Sequence, residues 1–353
     1  MKPFVCNLQP MRVVFGAGSL GELVPEIERL GARRALVLST PEQRAGAEDA
    51  ARRLGDRCAG IFDGAVMHVP IETARAARDE AQRLNADCVV AIGGGSTVGL
   101  GKAIALVSSL PILAIPTTYA GSEMTPIYGI TEAGLKRTGR DERVLPKTVI
   151  YDPALTVGLP AGLSATSGIN AIAHAVEGLY AHDANPIMSL LAEEGIGALA
   201  RGLPSVMQDP ANLEARSLCL YGAWLCGTVL GAVGMALHHK LCHTLGGTWN
   251  LPHAETHTIV LPHAVAYNEA AAPEAMARIA RALGTKNAAR GLFELARRLG
   301  GPLALKEIGL PEEAIDEAAR LATLNSYDNP RPVTYEPVRQ LLRRAWAGLA
   351  PSA

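Results

Sequence analysis

The sequence predicts an α/β domain over residues 1–155 followed by an all-helical domain over residues 156–353. Two observations carry that reading. Short β-rich runs alternate with amphipathic runs up to about residue 153, the pattern of a parallel sheet covered on both faces, and from Leu159 onward the β signal nearly disappears. A chain of 353 residues is long enough for about two domains, and no repeat or low-complexity linker divides it further.

In chain order, the strands are MRVVF at 11–15, ALVLS at 35–39, AGIFD at 59–63, DCVVAI at 87–92 and PILAIP at 111–116. The first helix opens at Ser19 with Glu22 three residues on, which spells a capping box. IYGITEAG and KRTGRDERVLPKTVIYDP read as two further strands around a polar, basic turn, ending near Asp152 and Pro153. Helical periodicity then runs through 187–203, 213–244, 272–283, 288–299 and 311–323. Leu218–Leu237 is twenty residues without a charge and contains Gly227 and Gly231 as a GxxxG. It is the single such stretch and continues at helical spacing into His238, His239, Lys240 and His243, so a central buried helix is favoured over a membrane span.

Composition excludes several classes. Lys and Arg total 33 against 34 Asp and Glu, so no global field attracts nucleic acid or an anionic membrane. Aromatics at 4% leave few stacking platforms for single strands. The six cysteines form no CxxC and no short-spaced ladder, and no apolar signal segment opens the chain, so the expected compartment is the cytoplasm.

Two glycine-rich turns compete for a nucleotide. Gly16-Ala-Gly18-Ser-Leu-Gly21 satisfies GxGxxG, but Ser39 and Thr40, not an acid, end the next strand, and a plain strand-to-helix turn explains it equally well. Gly93-Gly94-Gly95-Ser96 is the stronger candidate, because it leads from a strand into a helix whose first N–H groups can receive a pyrophosphate. Thr117 and Thr118 end a neighbouring strand, at the edge where open α/β sheets hold ligands, although a simple helix cap is an equal reading. Six of the nine histidines fall between His238 and His263, which scattered core histidines would not do. His239 and His243 are i, i+4 on one helix, as are Asn170 and His174 on another, so both pairs can address a common cleft.

Together GGGSTVGLGK at 93–102, IPTTYAGSE at 115–123, PKTVIYDP at 146–153, SGINAIAHAVE at 167–177, HKLCHTLGGTWNLPH at 239–253 and LPHAVAYN at 261–268 resemble the iron-containing alcohol dehydrogenase superfamily, over nearly the whole chain. The resemblance implies the fold that this superfamily shares with dehydroquinate synthase, a dinucleotide-binding α/β domain and a helical catalytic domain. It places the pyrophosphate of NADH or NADPH on Gly93, Gly94, Gly95 and Ser96, with Thr117, Thr118 and Lys147 near the cofactor. NAD-preferring members carry an Asp at the position of Ser39 or Thr40, so its absence implies that NADPH is accepted as well. Metal-dependent members bind a divalent ion through an Asp and three histidines, and the matching positions are Asn170, His174, His239 and His253.

Asn170 departs from that pattern, and an amide supplies no anionic ligand for iron or zinc. Gly99 is a second departure, standing where the family usually carries an Asp. What remains is a site suited to an anion, with no metal expected, although three histidines can still hold zinc. With Asn170, the segments at 117–131, 136–153, 234–247 and 325–334 resemble the maleylacetate reductase branch. That resemblance implies a homodimer that reduces the conjugated C=C bond of maleylacetate to give 3-oxoadipate in bacterial aromatic breakdown and removes chloride from 2-chloromaleylacetate. His243 and His253 are expected to orient the ketone, with His239 or His174 assisting and Tyr327, a histidine or water returning the proton. Candidates for the two substrate carboxylates are Asn170, Lys240 and the basic turn Lys136, Arg137 and Arg140, with Arg331 a weaker one. The basic turn is somewhat better explained as a solvated hairpin tip. Tyr119 and Ser122 are further substrate candidates, and for Tyr119 packing is an equal reading. The rivals are a metal-dependent alcohol or polyol dehydrogenase of the same superfamily, a sugar-phosphate cyclase, and a non-catalytic nucleotide sensor.

Overall fold

Apolar strand runs without polar alternation need cover on both faces, and the first unit supplies it. The computed structural model describes residues 4–6, 9, 11–132 and 135–352, without the side chains of Leu135 and Lys136. One unit ends at Leu159 and the other begins at Pro160. In the first, β1 (Arg12–Phe15), β2 (Ala35–Leu38), β3 (Cys58–Phe62), β4 (Cys88–Gly93), β5 (Ile112–Pro116), β6 (Ile127–Glu132), β7 (Leu135–Arg140) and β8 (Thr148–Tyr151) follow in sequence. Six form one sheet in the order β1-β8-β5-β4-β2-β3, with every neighbouring pair parallel. Alternate side chains divide the core. Val37, Val90 and Leu113 pack with Leu23, Ile27, Ala47 and Ala50 of α1 (Leu23–Arg29) and α2 (Arg44–Leu54). Leu36, Leu38 and Val89 face Ala74, Ala77, Leu100 and Ile104 of α3 (Ile71–Arg83) and α4 (Gly95–Ser108).

Three elements depart from the sequence reading. No capping box forms at Ser19, whose hydroxyl donates to the Tyr151 carbonyl at 3.2 Å and whose segment is a single 3₁₀ turn. The Asp152 carboxylate instead accepts from the Gly18 and Leu20 N–H groups, each at 3.0 Å, so the first glycine turn is closed by a side chain of its own unit, which takes two donors that a phosphate would need. The expected two strands around a basic turn are three. β6 and β7 pair as a separate antiparallel hairpin, Arg137 and Arg140 lie on strand β7, and β8 returns to the main sheet.

The second unit is helical: α5 (Ala161–Leu179), α6 (Pro186–Gln208), α7 (Leu213–Ala232), α8 (Leu237–Trp249), α9 (His253–Asn268), α10 (Pro273–Ala282), α11 (Ala288–Arg298), α12 (Ala314–Thr323) and α13 (Tyr335–Ala347). Asn185, Asn212 and Asn287 cap α6, α7 and α11 through their side chains. Gly195 and Gly222 let α6 and α7 approach closely, since a methyl group on Gly222 would lie 3.0 Å from the Gly195 carbonyl oxygen. The single helix expected over 213–244 is broken: α7 and α8 meet at 94° across residues 233–236. Among the described residues no single helix is long and apolar enough to cross a membrane, and α7 is largely buried.

Because Asp152 also accepts from the Ala154 N–H, it ties three backbone groups. Asp152→Ala is expected to lower unfolding stability by about 2 kcal/mol, read as a shift of the urea midpoint at unchanged slope.

Candidate functional site

In the α/β unit the second glycine turn has the geometry of a phosphate cradle. β4 ends at Gly93, Gly94 is the N-cap, and α4 begins at Gly95. Gly93 has φ +153°, and a side chain there would meet Thr97 Oγ1 at 2.4 Å and Gln43 Oε1 at 2.7 Å. The first-turn N–H groups of Gly95 and Ser96 have no helix carbonyl to bond. Thr117 is fixed beside this turn, donating its N–H to the Gly93 carbonyl at 3.0 Å and accepting at Oγ1 from Gln43 Nε2 at 2.8 Å. Thr118 abuts Gly94.

At the end of β2, Ser39 is fully buried, so Thr40 alone of the two reaches this edge. Sequence reading missed Glu42, an exposed carboxylate held below its ordinary range by hydrogen bonds from its own backbone and from Thr40.

Lys147 does not join the cradle. Thr148 is in register with Leu113, so Lys147 stands level with Ile112, while Gly93 pairs with Pro116. Four residues of parallel strand, about 13 Å, separate the two ends. Tyr119 is 0% exposed and has no surface for a substrate, so the packing reading holds. Ser122 is half-buried, and its carbonyl accepts from Lys102 Nζ at 2.7 Å. The Lys102 ammonium, fully buried, also donates to the Thr125 and Ile127 carbonyls at 2.7 Å, pinning the segment that follows Thr118. Burial pulls its pKa down to about 7, opposed by Glu123, whose carboxylate accepts from Tyr151 at 2.8 Å. Gly99 has a packing cause as well: a side chain there would meet Val69 Cγ2 at 2.9 Å. Arg137 and Arg140 are exposed on β7, and the Lys136 side chain lies outside the described residues.

The helical unit gathers the histidines. His174 on α5, His238 and His239 on α8 and His257 on α9 are buried, whereas His253 is half-buried and His243 exposed. Ring centroids lie 5.2 Å apart for His174 and His239, 5.0 Å for His239 and His257, 4.3 Å for His253 and His257, and 6.1 Å for His239 and His243. Burial, and after it the mutual repulsion of imidazolium charges, drives His174, His238 and His257 well below the ordinary histidine range, so these rings are neutral at pH 7. His263 stands apart, with burial and then Arg344 pushing it down to about 4.

Glu177 organises this group, and sequence reading did not single it out. Fully buried on α5, it accepts from the Ala236 and His238 N–H groups at 2.8 Å and from the His239 N–H at 3.3 Å, which caps α8. It also bonds His239 Nδ1 at 2.7 Å, which keeps a proton there and turns Nε2 inward. Asn170 Oδ1, His174 Nδ1, His239 Nε2 and His257 Nε2 are all buried without a hydrogen-bond partner. Atoms so placed are costly unless a ligand meets them.

Tyr327, with a buried unpartnered hydroxyl, lies beside Lys240, whose Nζ is 6.0 Å from the ring centre. Burial and the Glu177 charge raise Tyr327 well above the ordinary phenol range, so it stays a donor. The segment carrying it is pinned by the Asn268–Asn329 amide pair at 2.8 and 3.0 Å. Arg331 is committed elsewhere, stacked 4.3 Å from the Tyr267 ring centre and bonded to the Tyr267 carbonyl.

The donor set does not fit the divalent ion that this superfamily can carry. Asn170 offers a neutral amide where a carboxylate is needed, so the set Asn170, His174, His239 and His253 lacks the anionic ligand of the metal-dependent members. Among the described residues the ligand atoms that lie mutually within 4.8 Å are those of His238, Cys242 and His257. There burial raises the Cys242 thiol far above its ordinary range, which keeps it neutral.

Replacing Glu177 by Gln forces an amide NH₂ or an uncharged oxygen onto donors that need a carboxylate. Glu177→Gln is expected to lower the melting temperature by several degrees and kcat by about 100-fold, read by thermal unfolding and steady-state kinetics.

The family model "Iron-containing alcohol dehydrogenase" matches residues 10–153, and "Fe-containing alcohol dehydrogenase family, C-terminal" matches residues 164–346. A maleylacetate reductase of Burkholderia cepacia is 63% identical over 352 residues, covering 100% of both chains. Among solved structures, a putative alcohol dehydrogenase from Ralstonia eutropha JMP134 is 67% identical with TM-score 0.99, covering 100% of both chains. Maleylacetate reductase from Agrobacterium tumefaciens is 54% identical with TM-score 0.96, covering 99% of this chain and 100% of its own. By two family models that together span most of its length, and by relatives matched end to end, the chain belongs to the iron-containing alcohol dehydrogenase family.

Proposed function

We infer that the chain is an NAD(P)H-dependent oxidoreductase that reduces maleylacetate to 3-oxoadipate, as its 63% identical relative of equal length is named to do. The observation that favours this over alcohol oxidation by a metal is Asn170 with its neutral histidine neighbours, a pocket without a hard anionic ligand.

The chemistry suits such a pocket. Maleylacetate is a dicarboxylate with a C=C bond conjugated to a ketone. Hydride from the nicotinamide adds to the alkene carbon distal to the ketone, the C=C π pair moves toward the carbonyl, and an enolate oxygen develops. Hydrogen-bond donors stabilise that oxygen, each worth about 3 kcal/mol in the transition state, without metal assistance. His253 and His243, the less buried members of the group, are proposed to face it. A proton then adds to the carbon next to the ketone, from Tyr327, whose hydroxyl stays protonated, from a histidine or from water. Lys240 and Asn170 are proposed for the carboxylates. With chlorine on the carbon that receives hydride, the enolate pair instead expels chloride and restores the C=C bond, giving maleylacetate.

NADH and NADPH oxidation, followed by nicotinamide absorbance, should proceed with maleylacetate and not with simple aldehydes. The reverse pattern would overturn the reading. Asn170→Asp should gain affinity for Fe²⁺ or Zn²⁺, and an unchanged metal content by elemental analysis would refute the mapping of that position. Because Glu42 places a negative charge beside Thr40, Glu42→Gln should raise kcat/KM for NADPH relative to NADH by about fivefold.

A further inference from the structure

His238 and His257 are not among the positions that match the family's metal or cofactor motifs, yet their rings are joined directly, His238 Nε2 to His257 Nδ1 at 2.9 Å. We propose that His257 is a further substrate-contacting residue, which presents an Nε2–H donor to the developing enolate, and that His238 is the positioning residue that fixes this proton. The proposal rests on the maleylacetate reading given above.

The argument is one of proton placement. His257 Nε2 is buried and unpartnered, and its ring neighbours His239 at 5.0 Å and His253 at 4.3 Å. A neutral imidazole carries one donor and one acceptor. Glu177 takes up His239 Nδ1 at 2.7 Å, and Asn170 Oδ1, which can only accept, is buried without a partner. A developing oxyanion needs the opposite, a donor. If His257 Nδ1 donated to His238, its Nε2 would add a further lone pair. If His238 Nε2–H donates to His257 Nδ1, the proton of His257 sits on Nε2 and faces the ligand. The second arrangement sets a donor beside the Asn170 oxygen, and the 2.9 Å contact is proposed to run in that direction.

The test uses the full-length enzyme with maleylacetate and NADH. His257→Phe should lower kcat by about 100-fold while NADH affinity, read by fluorescence titration, is unchanged. His257→Gln, whose side-chain amide carries an N–H to the same region, should recover about tenfold of that loss. His238→Phe should cost about tenfold, and ¹⁵N NMR of labelled imidazoles should find the His257 proton on Nε2 in the wild type and redistributed in the variant. Activity within about threefold of wild type for His257→Phe, a Gln variant no better than Phe, or a wild-type proton on Nδ1 would each overturn the proposal. The NMR readout needs no substrate, so it stands if the Phe variants fail to fold. Wild-type enzyme that ignores maleylacetate yet shows the Nε2 proton would refute the substrate reading instead.

Discussion

Glu177 is a carboxylate with no exposed surface, on which three backbone N–H groups and one imidazole nitrogen converge. A lone buried carboxylate costs several kcal/mol, and these donors are what offset it. Their geometry also fixes much else. The apolar run that begins in α7 cannot continue straight, because the capped start of α8 is fastened to α5. The 94° bend that results aims His239 at the pocket, and the same carboxylate decides which of its nitrogens carries the proton. One side chain therefore sets a helix boundary, a ring orientation and a tautomer.

The pocket built around it reverses the logic of a metal site. A divalent cation needs anionic or gathered ligands, whereas crowded imidazoles kept neutral by burial form a set of directed donors and acceptors. Asn170 belongs to that logic, since an Asp in its place would add a second buried carboxylate to α5, which already carries Glu177. Gly99 does not belong to it. Its missing side chain makes room for Val69, so the two losses of acidity that look alike in sequence have different causes.

The two glycine turns of the α/β unit make a similar contrast. Both follow a strand and open a helical turn. At Gly18 the donors are taken by Asp152, a residue 134 positions away, and the turn is structural. At Gly95 no such carboxylate intervenes, and Gly93 is held by Thr97, Gln43 and Thr117 in a conformation that excludes a side chain.

The strands of the main sheet, the glycine cradle and the concentration of histidines were legible because each rests on local pattern: uninterrupted apolar runs, a turn that only glycine can make, and i, i+4 spacing. The change from alternating strands and helices to helices alone was visible for the same reason, as a change of period. Glu177, Lys102, Glu42 and the His238–His257 pair were not, since their meaning lies in partners on other elements. Nor were the closure of the first turn by Asp152, the separation of Lys147 from the cradle, or the break before α8. Sequence by itself determined which chemical groups the chain possesses and which helix or strand carries them. Tertiary structure decided which are buried, which are already partnered and where each proton sits, because desolvation and hydrogen bonding act between residues that are distant in the chain.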